Sequence, residues 1–167
     1  MTPLLWLLAF VVFQRLAELV YARRNERRLL ATGGVEVGSG HYPLIVALHI
    51  AWIAAMAVFI PLDTSLRIPW LVAFIVLQAL RLWTIASLGR FWTTRVITVP
   101  AAKLVRHGPY RWLRHPNYLI VAAEIAVLPL ALGAWYLAAI FTIANAALLW
   151  WRIRIENAVL AGRREEP

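Results

Sequence analysis

The sequence predicts an all-α integral membrane protein: five transmembrane helices in a single domain over 1–167, closed by a C-terminal helical hairpin that frames a pocket on the cytoplasmic side. Three observations carry this. The chain of 167 residues is 62% hydrophobic and only 15% charged, too apolar for a water-soluble domain of its size. The apolar residues gather into runs approaching the roughly 20 residues that a helix needs to cross a bilayer. The basic residues sit at the ends of those runs, as the positive-inside rule requires.

The first span covers 3–22. No basic residue precedes it, and Arg23, Arg24, Arg27 and Arg28 follow. A secretory signal has the opposite polarity, so this is a retained helix with its N-terminus outside. Arg15 and Glu18 lie within it, three apart on one face, either as a mutually paired couple or lining a substrate cavity. The connection 23–42 begins as a helical extension and is broken by Gly33, Gly34, Gly38 and Gly40. His41 and Tyr42 lead into Pro43, which opens the second span, 43–61. This span carries His49, a candidate by virtue of being an ionisable group inside the membrane, with a hydrogen bond to a neighbouring helix as the alternative.

A short turn through Asp63 and Arg67 leads to the third span, 69–89, which carries Gln78 and Arg81 and ends at Gly89-Arg90. Trp6, Trp52, Trp70, Trp150 and Trp151 fall near span ends, where tryptophan anchors a helix at the interface. Residues 90–116 form the longest non-spanning segment. The β-branched stretch Arg95–Val99, a turn at Pro100–Ala102 and a return over Lys103–Arg106 predict one small β-hairpin. Residues 117–151 are nearly continuous apolar sequence, too long for one crossing. Pro129, Gly133 and Ala134 mark a break, giving spans 117–132 and 135–151, with Glu124 in the fourth and Asn145 in the fifth. The fifth helix continues into water through Arg152 and Glu156 and ends at Gly162.

This topology sends 14 of the 17 basic residues to one face. Arg15 and Arg81 stay inside spans, and only Arg67 falls on the outside. That face also receives the most polar stretch of the chain, Arg106-His107-Gly108-Pro109-Tyr110-Arg111-Trp112-Leu113-Arg114-His115-Pro116-Asn117-Tyr118. A tight hairpin sets the start of the fourth helix beside the end of the fifth. His115 and Tyr118 would then meet Arg152 and Glu156, which lie four apart on one face. Such a pocket suits a zwitterion, with arginine or helix N–H groups for its carboxylate and Glu156 for its ammonium. The alternative is a basic collar bound to lipid headgroups.

Other chemistries are disfavoured. The net charge of +9 is explained by topology rather than by nucleic acid. The absence of cysteine excludes disulfides and thiolate chemistry. His107 and His115 have no third ligand nearby, so no metal is expected. No phosphate-loop or dinucleotide glycine fingerprint is present, and Ser39 near His41 has no nucleophile-elbow context.

Gly108-Pro109-Tyr110, then Arg114-His115-Pro116-Asn117-Tyr118, an apolar hairpin, and Arg152-Ile153-x-x-Glu156 together resemble the isoprenylcysteine carboxyl methyltransferase family. The resemblance is strongest over about 89–160. It implies an integral membrane methyltransferase using S-adenosylmethionine (SAM) in a cytoplasmic cofactor pocket. His41-Tyr42-Pro43 with His49, and Leu88–Arg95, look like a bacterial branch, some members of which O-methylate alkylpyrones and alkylresorcinols.

Carried onto this chain, the resemblance implies that Gly108, Pro109, Tyr110, Arg114, His115, Tyr118, Leu119 and Glu156 hold SAM. Arg152 and Glu156 would act in catalysis. His41, His49, Arg81 and Glu124 would face a lipophilic acceptor dissolved among membrane lipids, either a polyketide-type lipid or a prenylcysteine-like carboxylate, with a neutral, hydrogen-bonded structural carboxyl as the alternative for Glu124. The chain departs from the eukaryotic pattern at Ile120, where that pattern has glycine, and at Asn157, where a second glutamate is usual. A phospholipid N-methyltransferase and a non-enzymatic membrane scaffold are the alternatives.

Overall fold

A computed structural model describes residues 2–37, 40, 42–99, 102 and 105–162, with side chains through Glu156. Five helices dominate it: α1 (Pro3–Ala31), α2 (Tyr42–Phe59), α3 (Ile68–Leu88), α4 (Pro116–Ala131) and α5 (Trp135–Gly162). Proline stands in the first turn of α1, α2, α3 and α4, where its fixed φ suits the helix and its missing N–H has no intrahelical role. Gly33 and Gly89, at φ +86° and +52°, terminate α1 and α3. Thus α1 runs nine residues past the expected end of its apolar span, through the arginine-rich stretch.

The expected break between the last two helices falls at Leu132–Ala134. Gly133, at φ +74°, turns the chain there, and Ala134 N–H closes back on Pro129 O at 2.8 Å. The short pairing near the polar end differs from the expected hairpin. Strand β2 (Ile97–Thr98) pairs antiparallel with β1 (Val35–Glu36), with Val35 opposite Thr98 and Glu36 opposite Ile97. The β-branched signal marked β2 correctly, but the partner described for it comes from the connection after α1, and Val105 and Arg106 of the expected return carry no strand. Of the expected return strand, Lys103 and Leu104 lie outside the described residues.

Among the described residues, four helices are long and apolar enough to cross a membrane: α1, α2, α3 and α5. With 16 residues, α4 is about 24 Å long against a hydrocarbon core of roughly 30 Å. It is also the most enclosed helix, with Ile120, Val121, Glu124, Ile125, Leu128 and Ala131 buried along it. It reaches from Tyr118, which touches Arg152, to Ala131, whose carbonyl accepts from Arg67 N–H at the start of α3.

Burial follows membrane logic. Phe13, Val20, Val58 and Ile143 point outward, each about 70% exposed, while Asn25, Gln78, Arg81, Glu124 and Asn145 are buried. An apolar exterior around polar residues is what a lipid solvent selects. The apolar core fills the end away from the polar connections: Leu4, Leu8 and Val11 of α1, Trp52 and Met56 of α2, Phe74 of α3 and Ile125 and Leu128 of α4. Trp52 therefore differs from its expected role. It is fully buried in this core because α2 packs against α5 and α1, whereas Trp6, Trp70, Trp150 and Trp151 are exposed. Between helices in lipid the hydrophobic driving force is absent, so close packing and polar bonds hold the bundle.

Candidate active site

The ends of the α4–α5 hairpin converge as the sequence predicts. The Tyr118 hydroxyl donates to Glu156 Oε2 and accepts from Arg152 Nε at 2.7 Å. The Arg152 guanidinium also lies over the Tyr118 ring, 5.4 Å from its centroid. His115, the residue before α4, stacks on Tyr118 with ring centroids 5.2 Å apart and 12° between planes, and its Nδ1 is 3.8 Å from Glu156 Oε1. Local sequence explains the placement. Pro116 starts α4 at once, so His115 and Tyr118 fall one turn apart on the same side. On α5, Ala138, Asn145 and Arg152 recur every seven residues and are all buried, which turns Arg152 and Glu156 toward α4.

The Gly108–Arg111 segment forms a 3-10 turn against the end of α3. Gly108 has φ +58°, and a Cβ there would come within 2.1 Å of Ser87 Oγ, so glycine is required both by conformation and by space. Trp83 of α3 meets Trp112 edge-on at 6.1 Å. Pro109 is buried beneath the turn. Burial pushes the Tyr110 phenol above its usual range, and the nearby Glu156 charge adds to this, so Tyr110 is a neutral hydroxyl at physiological pH. Arg114 is exposed, and Leu119 is 62% exposed on the outer side of α4.

Arg81 and Glu124 occupy a different place. Along α4, Glu124 is six residues from Tyr118, about 9 Å deeper. Its Oε2 accepts from Arg15 at 2.6 Å and from Arg81 at 2.9 Å, and its Oε1 accepts from Gln78 Nε2 at 2.8 Å. Arg81 also grips both oxygens of Glu18, at 2.5 and 2.6 Å, and Arg15 adds a 3.2 Å contact to Glu18. The couple read from Arg15 and Glu18 is thus half of a network joining α1, α3 and α4. His49 takes part only at long range. Its Nδ1 lies 2.8 Å from Ile45 O of its own helix, and its ring meets Trp52 edge-on. His41 lies outside the described residues.

Other polar residues are placed on their segments by the sequence but given no role there. Asn117 Oδ1, in the first turn of α4, and Asn145 Nδ2, on the Arg152 face of α5, are buried without a hydrogen-bond partner among the described residues. Asn25 is 1% exposed and donates to Gly89 O and Trp92 O, at 3.0 and 2.9 Å. Asn25 reads as one polar residue in an arginine-rich run, and nothing local marks it as the clamp between α1 and the end of α3.

Residues 70–162 match the family described as "Isoprenylcysteine carboxyl methyltransferase (ICMT) family". A Bacillus subtilis (strain 168) protein described as "Uncharacterized protein YpbQ" is 39% identical over 160 residues, covering 93% of this chain and 95% of the relative. An "Uncharacterized protein" of Haemophilus influenzae (strain ATCC 51907 / DSM 11121 / KW20 / Rd) is 24% identical, covering 92% of each chain. No solved structure matches the chain. With the motif residues gathered at one end of an apolar helical bundle and more than half of its length matched, the chain belongs to the isoprenylcysteine carboxyl methyltransferase family of membrane SAM-dependent methyltransferases.

Proposed function

We propose that this chain binds SAM at the Tyr118–Arg152–Glu156 cluster and O-methylates a lipophilic acceptor dissolved in the membrane, of the alkylpyrone or alkylresorcinol type or a prenylcysteine-like carboxylate. The observation that carries the reading is the meeting of Tyr118, Arg152 and Glu156 across the α4–α5 hairpin in a chain of this family.

The residues fit the cofactor. Glu156 offers an anion for an ammonium. Among the described residues Arg152 donates only its Nε, leaving its terminal nitrogens for a carboxylate or an acceptor oxygen. The orphaned Asn117 Oδ1 suits an amino or hydroxyl donor of a nucleoside. His115, Tyr118 and the Gly108–Tyr110 turn supply the surrounding wall, with Arg114 and Leu119 at its rim.

SAM, when bound, would supply a methyl carbon on positively charged sulfur: an oxygen nucleophile bonds to that carbon and the neutral thioether leaves with the bonding pair. The chain's own task is to align and to exclude water, which can account for much of such a rate. Glu156 exchanges its Tyr118 bond for the ammonium. Arg152, packed on the Tyr118 ring, orients the acceptor oxygen and stabilises its anionic form. His41 and His49 are assigned to the acceptor side, whereas Arg81 and Glu124, which the sequence also offered, spend their charges on each other and on Arg15 and Glu18. Beside that network, Gln14 Oε1 and Gln78 Oε1 are buried acceptors without a donor among the described residues, and a hydroxyl-bearing acceptor brings one. We assign five crossings, with α4 short and enclosed, the N-terminus outside, and the site and C-terminus in the cytoplasm.

The test is incubation of membranes containing the chain with methyl-labelled SAM, followed by mass spectrometry of the extracted lipids. Label in neutral polyketide-like or prenylated lipids is expected. Label in phosphatidylethanolamine derivatives would instead identify a phospholipid N-methyltransferase. Absence of both label and SAM binding would leave a scaffold.

A further inference from the structure

We propose a second site, separate from the methyl-transfer cluster: a groove at the end of α1 that binds a phosphate-bearing anion at the membrane boundary. A cavity of about 370 Å³ is lined by Arg23, Glu26, Arg27, Leu30, Tyr42 and Arg95. A second cavity, of about 480 Å³, shares Arg23 and Arg27 with it and reaches down to Val20. Val20, Arg23, Arg27 and Leu30 recur at helical spacing, so one stripe of α1 forms the common wall. The stripe starts on the last apolar turn of the helix and ends in the polar connection, which is headgroup depth.

The charges in the groove are unevenly committed. Arg95 is bound to Glu36 at 2.8 Å and lies 5.4 Å over the Tyr42 ring. Glu26 is 8% exposed, and its Oε1 is taken by Thr94 N–H, the Thr94 hydroxyl and Arg95 N–H. Arg23 and Arg27 are exposed, and neither has an ion pair or side-chain hydrogen bond among the described residues. Two guanidiniums four residues apart, unpaired among the described residues and facing an open groove of this size, match the oxygens of one phosphate group. The walls are held in place. The adjacent Asn25 ties α1 to Gly89 and Trp92, and the Thr94 hydroxyl lies 3.3 Å from the Tyr42 hydroxyl at the start of α2. The phosphate can come from an anionic lipid headgroup or from free phosphate, and the binding chemistry is the same.

The experiment uses the full chain in non-ionic detergent. Phosphatidylglycerol, phosphatidylcholine and inorganic phosphate are titrated separately, with thermal unfolding as the readout. Phosphatidylglycerol should raise the unfolding midpoint saturably while phosphatidylcholine does not. Arg23→Gln and Arg27→Gln should each weaken the response about tenfold without moving the lipid-free midpoint. Arg90→Gln makes the same charge change outside the groove and should weaken it by no more than about twofold. Protection by phosphatidylglycerol alone assigns the site to a lipid headgroup. Equal protection by inorganic phosphate, lost in Arg27→Gln, assigns it to free phosphate. Equal responses to the two lipids, or an Arg90→Gln loss as large as that of Arg27→Gln, would overturn the site.

Discussion

Along α4, two arginine–carboxylate clusters lie about 9 Å apart, and they are built to different rules. In the deeper one, Arg15 and Arg81 face Glu18 and Glu124, and every carboxylate oxygen is taken by a guanidinium or an amide. Charge is balanced two against two, and Glu124 is fully buried. At the polar end, one arginine and one glutamate share a tyrosine hydroxyl, with His115 stacked alongside. The Glu156 and His115 side chains there are 26% and 18% exposed, and among the described residues Arg152 donates only its Nε. An ionised group inside a membrane protein is therefore not by itself a mark of chemistry. A saturated cluster holds helices together, and a cluster with spare bonding capacity and an opening can take a ligand.

The sharpest way to break this contrast is Glu124→Ala. It leaves Arg15 and Arg81 sharing Glu18 alone, with one buried positive charge uncompensated, and should cost about 3–5 kcal/mol, read as loss of folded protein in detergent unfolding. Glu156→Ala should leave the same unfolding curve within about 0.5 kcal/mol. If both variants unfold alike, the distinction between the clusters fails. In the other direction, Glu156→Ala should weaken SAM binding by tenfold or more, from the loss of about 1.5–3 kcal/mol for a hydrogen bond to a charged group. Calorimetry on the purified protein measures this, and unchanged affinity would remove Glu156 from the cofactor site.

Arg152→Ala sharpens the roles within the polar cluster. Turnover should fall further than SAM affinity, and single-turnover kinetics beside binding isotherms separate the two. Tyr118→Phe should have the smallest effect, roughly 1 kcal/mol, seen as a several-fold change in SAM affinity. The phenyl ring still supports the guanidinium and His115, while the hydroxyl that links Arg152 to Glu156 is lost.

How much could be read from residues alone differs between the clusters. The hairpin break at Leu132–Ala134, the convergence of Tyr118 with Arg152 and Glu156, and the exit of Arg23–Arg28 on a helix were all legible. They rest on local rules: proline at helix starts, glycine at positive φ, and a helical repeat that puts residues four apart on one face. The partner of Glu124 was not legible, because Arg15 and Arg81 lie 109 and 43 residues away and nothing in their neighbourhoods names Glu124. The same holds for Ile97–Thr98, whose partner strand follows α1, and for Trp52, whose fate depended on which face of α2 met the bundle.

The amino-acid order by itself determined that this chain is a helical membrane protein with a polar cluster at the mouth of its last hairpin, because hydropathy, turn residues and helical spacing act over a few residues at a time. Only the tertiary structure decided which buried charges cancel one another and which stay open to a ligand. That outcome depends on the rotation and depth at which α1, α3, α4 and α5 pack, and small changes in either bring different side chains within the 3 Å reach of a hydrogen bond.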